Sequence, residues 1–150
     1  MKLVSQFLLF LFKTRLYRLE KFKKYPLETQ VDNFLYLIKQ GSKTAFGKYY
    51  DFDKILEKNN FSEAYEEFKK QVPIFSYDDL KPWITRARQG EKNVIWPGKI
   101  KMFSKSAGTT SDKSKFIPVT HNSLQRCHYA AGRDAFSAYF KNYPDSKIFY

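Results

Sequence analysis

The stretch from residue 102 to residue 120 constrains the fold of this chain more than any other. The apolar run Lys101-Met102-Phe103 enters a loop of small and hydroxyl-bearing residues, and the β-type run Phe116-Ile117 leaves it. This order predicts a strand, a loop and a second strand. The loop contains almost no side chain that could fill a hydrophobic core, so core packing does not explain its composition.

The composition of this loop suits an anion. Hydroxyl side chains occur at six positions between residues 104 and 114, and Gly108 lets the backbone turn or lie close to a ligand. Successive backbone N–H groups in such a turn form an anion-binding concavity, and Lys105, Lys113 and Lys115 add positive charge around it. The same residue types also make an ordinary solvated hairpin loop. Composition alone therefore leaves a polyphosphate site and a plain loop equally open.

The order of the loop residues resembles a known family. Ser106-Ala107-Gly108-Thr109-Thr110, with Lys115 five residues further on, resembles the phosphate-binding loop of acyl-adenylate-forming enzymes. It does not match the Walker pattern, which needs Gly-Lys-Ser/Thr opening a helix. The run from Lys115 to Pro118 is most similar to the auxin-responsive Gretchen Hagen family of acyl-acid amido synthetases, and the similarity continues through residues 44–50 and 72–84. The family usually has Ser where Ala107 stands and Gly where Asp112 stands.

This resemblance implies an α/β fold class, with an α+β arrangement at the N-terminus. Residues 1–150 would form the N-terminal part of an adenylate-forming domain, in which a helical region leads into the first strands of the large domain. Residues 1–92 are expected to be mainly helical. Residues 93–150 are expected to run strand, loop, strand, helix, strand, with the phosphate-binding loop at 104–115.

The resemblance also implies an activity. ATP, with Mg²⁺, would activate a carboxylic acid to an acyl-adenylate, and the amine of an amino acid or another amine would then form the amide. The residues that would bind the ATP phosphates are Ser106, Ala107, Gly108, Thr109 and Thr110, with Lys105 and Lys115 as supporting charge. No catalytic residue and no metal ligand is assigned in the chain. The family's adenine, ribose and acyl motifs lie further downstream, so we expect a much longer gene product and no activity from these 150 residues alone.

The charge of the chain supports two alternatives without catalysis. The sequence has 27 basic and 15 acidic residues, a net charge of +12, concentrated in residues 1–24 and 99–115. A basic, aromatic-rich chain can be a nucleic-acid-binding module with steeply salt-dependent binding, but no recognised binding motif occurs and no specific nucleic acid is expected. The other alternative is a peripheral membrane protein that contacts the lipid surface through residues 1–24.

The N-terminal apolar run, residues 3–12, is too short to cross a bilayer as a helix, which needs about 20 residues. No small-residue cleavage site follows it, so it does not read as a signal peptide. A helix packed against the rest of the protein is the first interpretation. The single cysteine, Cys127, excludes an internal disulfide framework and predicts a reducing compartment, the cytoplasm.

Local signals predict several further elements. Helices are expected over residues 3–23, from Pro26 to Gly41, after two capping boxes, and from His121 to Phe140. The capping boxes pair Asn60 with Glu63 and Ser76 with Asp79, and Pro82 should kink or split the second of these helices. Residues 44–52 read as an aromatic-rich loop, and residues 147–150 as the start of a strand. The buried face of the last helix is predicted to contain Leu124, Cys127, Ala131, Ala135, Phe136 and Tyr139.

Overall fold

The computed structural model describes residues 2–106, 114–143 and 146. Its contacts divide the chain into two units, one formed by Met1–Thr29 with His121–Tyr150 and the other by Gln30–Thr120. Most described residues are helical, and a small antiparallel sheet lies in the second unit. The α+β class predicted for this region is confirmed. The strand predicted for residues 147–150 lies outside the described residues.

The elements follow one another in the order helices, hairpin, helices. In chain order they are α1 (Lys2–Lys24), α2 (Pro26–Gly41), α3 (Ala45–Tyr49), α4 (Phe52–Leu56), α5 (Phe61–Gln71), α6 (Tyr77–Arg88), β1 (Met102–Lys105), β2 (Phe116–Val119), α7 (His121–Ser123), a π-helical turn (Leu124–His128) and α8 (Tyr129–Asn142).

The predicted start signals of α5 and α6 are confirmed by their hydrogen bonds. The Asn60 side chain accepts from the Glu63 N–H at 3.0 Å, and its amide group donates to the Glu63 carboxylate at 2.8 Å. At Ser76 the reciprocal capping box with Asp79 is complete. Pro82 does not split α6, which runs unbroken from Tyr77 to Arg88. Ile84 and Ala87 on its second half are buried, and this packing offsets the hydrogen bond that proline removes.

The prediction of a loop over residues 44–52 is wrong, because the short helices α3 and α4 occupy it. Thr44 caps α3 by accepting the N–H of Gly47 at 3.0 Å. Two further N–H groups at the start of α3 donate to carbonyls of residues 93 and 94, at 2.7 and 2.9 Å. Partners almost fifty residues away therefore satisfy the first turn of α3, and no local pattern could indicate them.

Among its described residues, the unit of Gln30–Thr120 has two buried clusters. The first contains Ile38, Phe52, Ile55 and Ala64, and it joins α2, α4 and α5. The second contains Ala87, Val94 and Ile100, with Trp83, Ile95, Trp96 and Phe103 packed against it. Since Phe103 belongs to β1, the second cluster packs against the hairpin.

The other unit is built on α1 and α8. The ring of Phe12 lies 5.8 Å from that of Phe136 and 5.4 Å from that of Phe140, in stacked arrangements. Beside it, Arg15 forms a two-pronged ion pair with Asp134, one of whose hydrogen bonds measures 3.0 Å. These contacts fix the face that each helix turns to the other.

The predicted buried face of the last helix is wrong. Its buried residues are Ala130, Ser137 and Phe140, whereas Phe136 and Tyr139 are exposed, and so is Cys127. The contact face contains polar residues because each has a partner: Asp134 binds Arg15, and the Ser137 hydroxyl donates to the Arg133 carbonyl at 2.7 Å. Sequence reasoning that follows apolar residues alone therefore misses most of this face, although Phe136, which stacks on Phe12, does lie on it.

None of the helices within the described ranges has the length and apolar character that crossing a membrane requires.

Candidate functional site

The two predicted strands form a hairpin, and hydrogen bonds join its strands up to the base of the loop. β1 and β2 pair antiparallel, with Met102 opposite Val119 and Lys105 opposite Phe116. One residue beyond the strands, the Ser106 N–H donates to the Lys115 carbonyl at 2.9 Å. The Lys115 N–H donates to the Ser106 hydroxyl oxygen at 3.1 Å. Two hydrogen bonds between Ser106 and Lys115 thus close the base of the loop.

The structure places three of the predicted phosphate-binding residues at this base. Lys105 is the last residue of β1 and is exposed, Ser106 follows it half-buried, and Lys115 is exposed just before β2. The other four, Ala107, Gly108, Thr109 and Thr110, lie outside the described residues. The described residues therefore bring Ser106 and Lys115 into contact, with Lys105 beside them in the ladder.

The alternation of the ladder decides where the amide of Phe116 points. In an antiparallel pair, hydrogen-bonded and non-hydrogen-bonded positions alternate. The Ser106–Lys115 position is hydrogen-bonded, so the next position, Lys105 opposite Phe116, is not. The N–H of Phe116 therefore points away from β1. Pro118, two residues on, occupies the same kind of position opposite Phe103, where its missing N–H costs the ladder nothing.

A tyrosine from α6 meets this outward amide. The hydroxyl of Tyr77 accepts the Phe116 N–H at 2.8 Å. The Lys115 ammonium lies 5.6 Å from the centre of the Tyr77 ring, and the Arg88 guanidinium lies 3.5 Å from the centre of the Phe116 ring. Sequence reasoning missed Tyr77 and Arg88 because 39 residues separate Tyr77 from Phe116.

The first turn of α6 holds Tyr77 in place. Ser76 caps the helix, and Asp79 accepts from the Ser76 hydroxyl at 2.6 Å and from its N–H at 2.8 Å. The hydrogen bond from the Ser76 side chain, followed by that from its backbone, lowers the pKa of Asp79 below its ordinary value. Tyr77, the first residue of the helix, is thus anchored by a charged cap at neutral pH.

An apolar pocket of about 220 Å³ opens in the same unit. The residues that line it are Phe46, Leu80, Trp83, Ile84, Ile95 and Pro118. Pro118 of β2 forms part of its wall, and the Phe46 and Trp83 rings lie 5.3 Å apart in an edge-to-face contact. Apart from the indole N–H of Trp83 these side chains are apolar, so this pocket suits a hydrocarbon or ring better than phosphate groups.

The donor set at the hairpin base fits a polyphosphate. Lys105 and Lys115 are exposed cations, and the Ser106 hydroxyl, while accepting from Lys115, still has a proton to donate. Within the described ranges no group of three acidic, histidine or cysteine side chains could hold a metal ion. At nucleotide sites magnesium commonly binds through the phosphates together with one or two carboxylates.

The family of the chain follows from comparison with known sequences. The model of the GH3 family N-terminal domain matches residues 15–150, which is nearly the whole chain. The chain belongs to the GH3 family. GH3 is the auxin-responsive family that the stretch from residue 72 to residue 120 resembles, and the resemblance is confirmed.

Three similar proteins are named plant enzymes. A jasmonoyl–L-amino acid synthetase, JAR4 of Nicotiana attenuata, is 31% identical over 118 residues, covering 71% of this chain and 20% of the relative. JAR6 of the same species is 34% identical over 115 residues, covering 69% and 19%. The 4-substituted benzoates–glutamate ligase GH3.12 of Arabidopsis thaliana is 44% identical over 60 residues, covering 39% and 10%. The chain therefore spans about a fifth of the length of the first two relatives.

Proposed function

We propose that this GH3 chain is the N-terminal part of an ATP-dependent acyl-acid amido synthetase. The observation that carries the proposal is the family match over residues 15–150, together with relatives whose names describe the joining of acids to amino acids. The closed, lysine-flanked hairpin base supports a phosphate site at residues 104–115. A carboxylic acid and an amino acid or other amine are the proposed substrates.

The proposed reaction has two steps. In the first, a carboxylate oxygen attacks the α-phosphorus of ATP, the bond between the α- and β-phosphates breaks, and pyrophosphate leaves. In the second, the amine nitrogen attacks the acyl carbon and loses a proton, the bond between the acyl carbon and the phosphate oxygen breaks, and AMP leaves with that oxygen and the electron pair of the bond. Magnesium supplies charge neutralisation of the phosphates when bound.

The loop's task in the first step is to hold the β- and γ-phosphates while charge moves onto the leaving pyrophosphate. Oriented hydroxyls and backbone N–H groups do this well because they are fixed before the reaction begins. We assign this contact to Ser106, Ala107, Gly108, Thr109 and Thr110. Lys105 and Lys115, both exposed beside Ser106, supply positive charge.

The test is acid-dependent exchange of pyrophosphate into ATP, measured on the full-length gene product with a panel of carboxylic acids. Thr109→Ala removes a proposed donor, and Gly108→Ala puts a methyl group where the backbone should approach the phosphates. Thr109→Ala is expected to lower the exchange rate by about 100-fold, the usual effect of losing one oriented donor, and Gly108→Ala is expected to lower it by obstructing the approach of the phosphates.

Gly132→Ala is the matched control, since a methyl group there meets no atom within 4 Å. It should exchange at the parent rate. If both loop variants also exchange at the parent rate, the assignment of the loop is wrong. If the parent shows no acid-dependent exchange with any acid, the proposed adenylation itself is wrong.

A cytoplasmic location belongs to the same proposal. A lone cysteine, which is exposed here, is typical of proteins in reducing compartments. Fractionation of the source cells with a compartment marker tests it.

A further inference from the structure

We propose that Tyr77 is a positioning residue of the phosphate site, assisted by Arg88. Tyr77 fixes the backbone of Phe116 and thereby the place of Lys115 at the base of the loop. This inference rests on the proposed function, because it concerns the residues that would meet the phosphates of ATP. Tyr77 itself is not assigned a contact with substrate.

The first argument is the hydrogen-bond requirement of Phe116. Its N–H points away from β1 and finds the Tyr77 hydroxyl at 2.8 Å. Both residues are half-buried, so an amide without this acceptor would be poorly solvated. The start of β2 is thus held by a side chain from α6, on the side that β1 cannot reach.

The second argument is that Phe116 is held at its side chain as well. The Arg88 guanidinium lies 3.5 Å from the centre of the Phe116 ring, a cation–π distance. Tyr77 begins α6 and Arg88 ends it, so one helix contacts both the backbone and the ring of Phe116. A residue fixed at two points cannot rotate about the strand axis without breaking one of them.

The third argument links Phe116 to the proposed phosphate contacts. Lys115 precedes Phe116 directly, and both its N–H and its carbonyl are hydrogen-bonded to Ser106. The Lys115 ammonium also lies 5.6 Å from the centre of the Tyr77 ring. Tyr77 therefore acts on Lys115 in two ways, through the backbone of Phe116 and through its own ring.

The test uses the full-length gene product and the variant Tyr77→Phe, which keeps the ring and removes only the hydroxyl. Since the hydroxyl positions groups that bind the phosphates, the KM for ATP should rise about 5- to 10-fold, the usual effect of one lost hydrogen bond. The KM for the carboxylic acid should stay unchanged. A variant that merely folds less well would lose kcat in proportion to its inactive fraction and keep both KM values.

Three further substitutions extend the comparison. Tyr65→Phe is the matched control, because the described hydrogen bonds include none from the Tyr65 hydroxyl, and it should leave both KM values at the parent level. Arg88→Gln removes the cation above Phe116 from an exposed position, so folding is not at risk, and the KM for ATP should rise about 2-fold. In a Lys115→Met background, the effect of Tyr77→Phe should shrink, because the two side chains act on one site.

A second measurement separates this inference from the proposed function. Deuterium uptake by the peptide covering residues 114–119 should be about 10-fold faster in Tyr77→Phe than in the parent, whether or not the protein exchanges pyrophosphate. If the parent shows no pyrophosphate exchange but Tyr77→Phe still takes up deuterium faster than the parent, only the proposed function is refuted. An active parent whose KM for ATP is unchanged in both Tyr77→Phe and Arg88→Gln overturns the positioning role. Should Tyr77→Phe fail to fold, an unchanged KM for ATP in Arg88→Gln overturns it.

Discussion

At the scale of single residues, substitution by alanine is expected to have opposite effects on stability at two glycines, Gly47 and Gly132. A Cβ at Gly47 would lie 2.1 Å from the carbonyl oxygen of Gly41, a backbone atom that cannot move aside. Gly47→Ala should therefore lower the free energy of unfolding by about 3 kcal/mol or more, as overpacking against backbone does. Chemical denaturation followed by the fluorescence of Trp83 and Trp96 measures it.

Gly132 is the counterpart on α8. A methyl group there meets no atom within 4 Å, and alanine favours a helix over glycine by about 0.5–1 kcal/mol. Gly132→Ala should therefore raise the midpoint of denaturation, followed by circular dichroism. A destabilised Gly132→Ala, or a neutral Gly47→Ala, would contradict the packing described for these helices.

Single residues also show where sequence reasoning reaches its limit. Lys105, Ser106 and Lys115 could be selected from the sequence because the loop's own order carries the resemblance. Tyr77 could not, because its role depends on a hydrogen bond across 39 residues. Cys127 was expected to be buried because cysteine usually behaves as a small hydrophobe, yet the contact face of its helix is set by Asp134 and Ser137.

At the scale of the elements, the cap of α6 makes stability depend on pH. The native pKa of Asp79 is below its ordinary value because Ser76 donates to its carboxylate. The native state therefore binds this proton less readily than the unfolded chain does. The stabilisation is complete above the unfolded pKa, about 4, and is lost as the pH falls through the lower native value.

The variant Asp79→Asn should consequently melt at a lower temperature than the parent at pH 7. The difference should shrink as the pH is lowered from about 4 through the lower native pKa of Asp79, because the parent's carboxylate becomes protonated over this range. Asp78→Asn, on the same helical turn but without a described bond to Ser76, is the control and should show less dependence on pH. A constant difference between Asp79→Asn and the parent from pH 7 to pH 3 would rule out the charged cap.

The pair of helices α1 and α8 makes a second prediction at this scale. The side chains of Arg15 and Asp134 are only 12% and 26% exposed, so removing one leaves the other partly buried without its partner. Asp134→Ala should therefore lower the free energy of unfolding by about 1–2 kcal/mol. This lies between the effects of breaking surface ion pairs and buried ion pairs. Glu20→Gln, which breaks the exposed pair with Lys141, should have no measurable effect in the same thermal melts.

Helix starts were the most predictable elements, because a cap lies within four residues of the helix it begins. The boxes at Asn60 and Ser76 and the proline at residue 26 are examples. The short helix α3 was missed because its first N–H groups are satisfied by residues 93 and 94. Elements stabilised locally can be read from sequence, whereas elements stabilised across the chain cannot.

At the scale of the whole molecule, the net charge of +12 predicts weak and unselective attraction to nucleic acids. Fluorescence anisotropy with two short DNA duplexes of different sequence should show similar binding at about 50 mM salt and almost none at about 200 mM. Tight binding to both duplexes at about 50 mM salt, with a steep loss as the salt is raised, would favour the nucleic-acid-binding alternative instead.

The hairpin described above also bears on how its sheet can grow. The outer edge of β2 carries the N–H positions of residues 116 and 118: the first is bound to Tyr77, and the second is a proline without an N–H. An incoming chain would find carbonyl groups but no available amide at residues 116 and 118 of this edge, so β2 is a poor template for cross-β association. Addition of a further strand is therefore favoured at the opposite edge, along β1. A peptide that pairs with this sheet should bind along β1 in preference to β2.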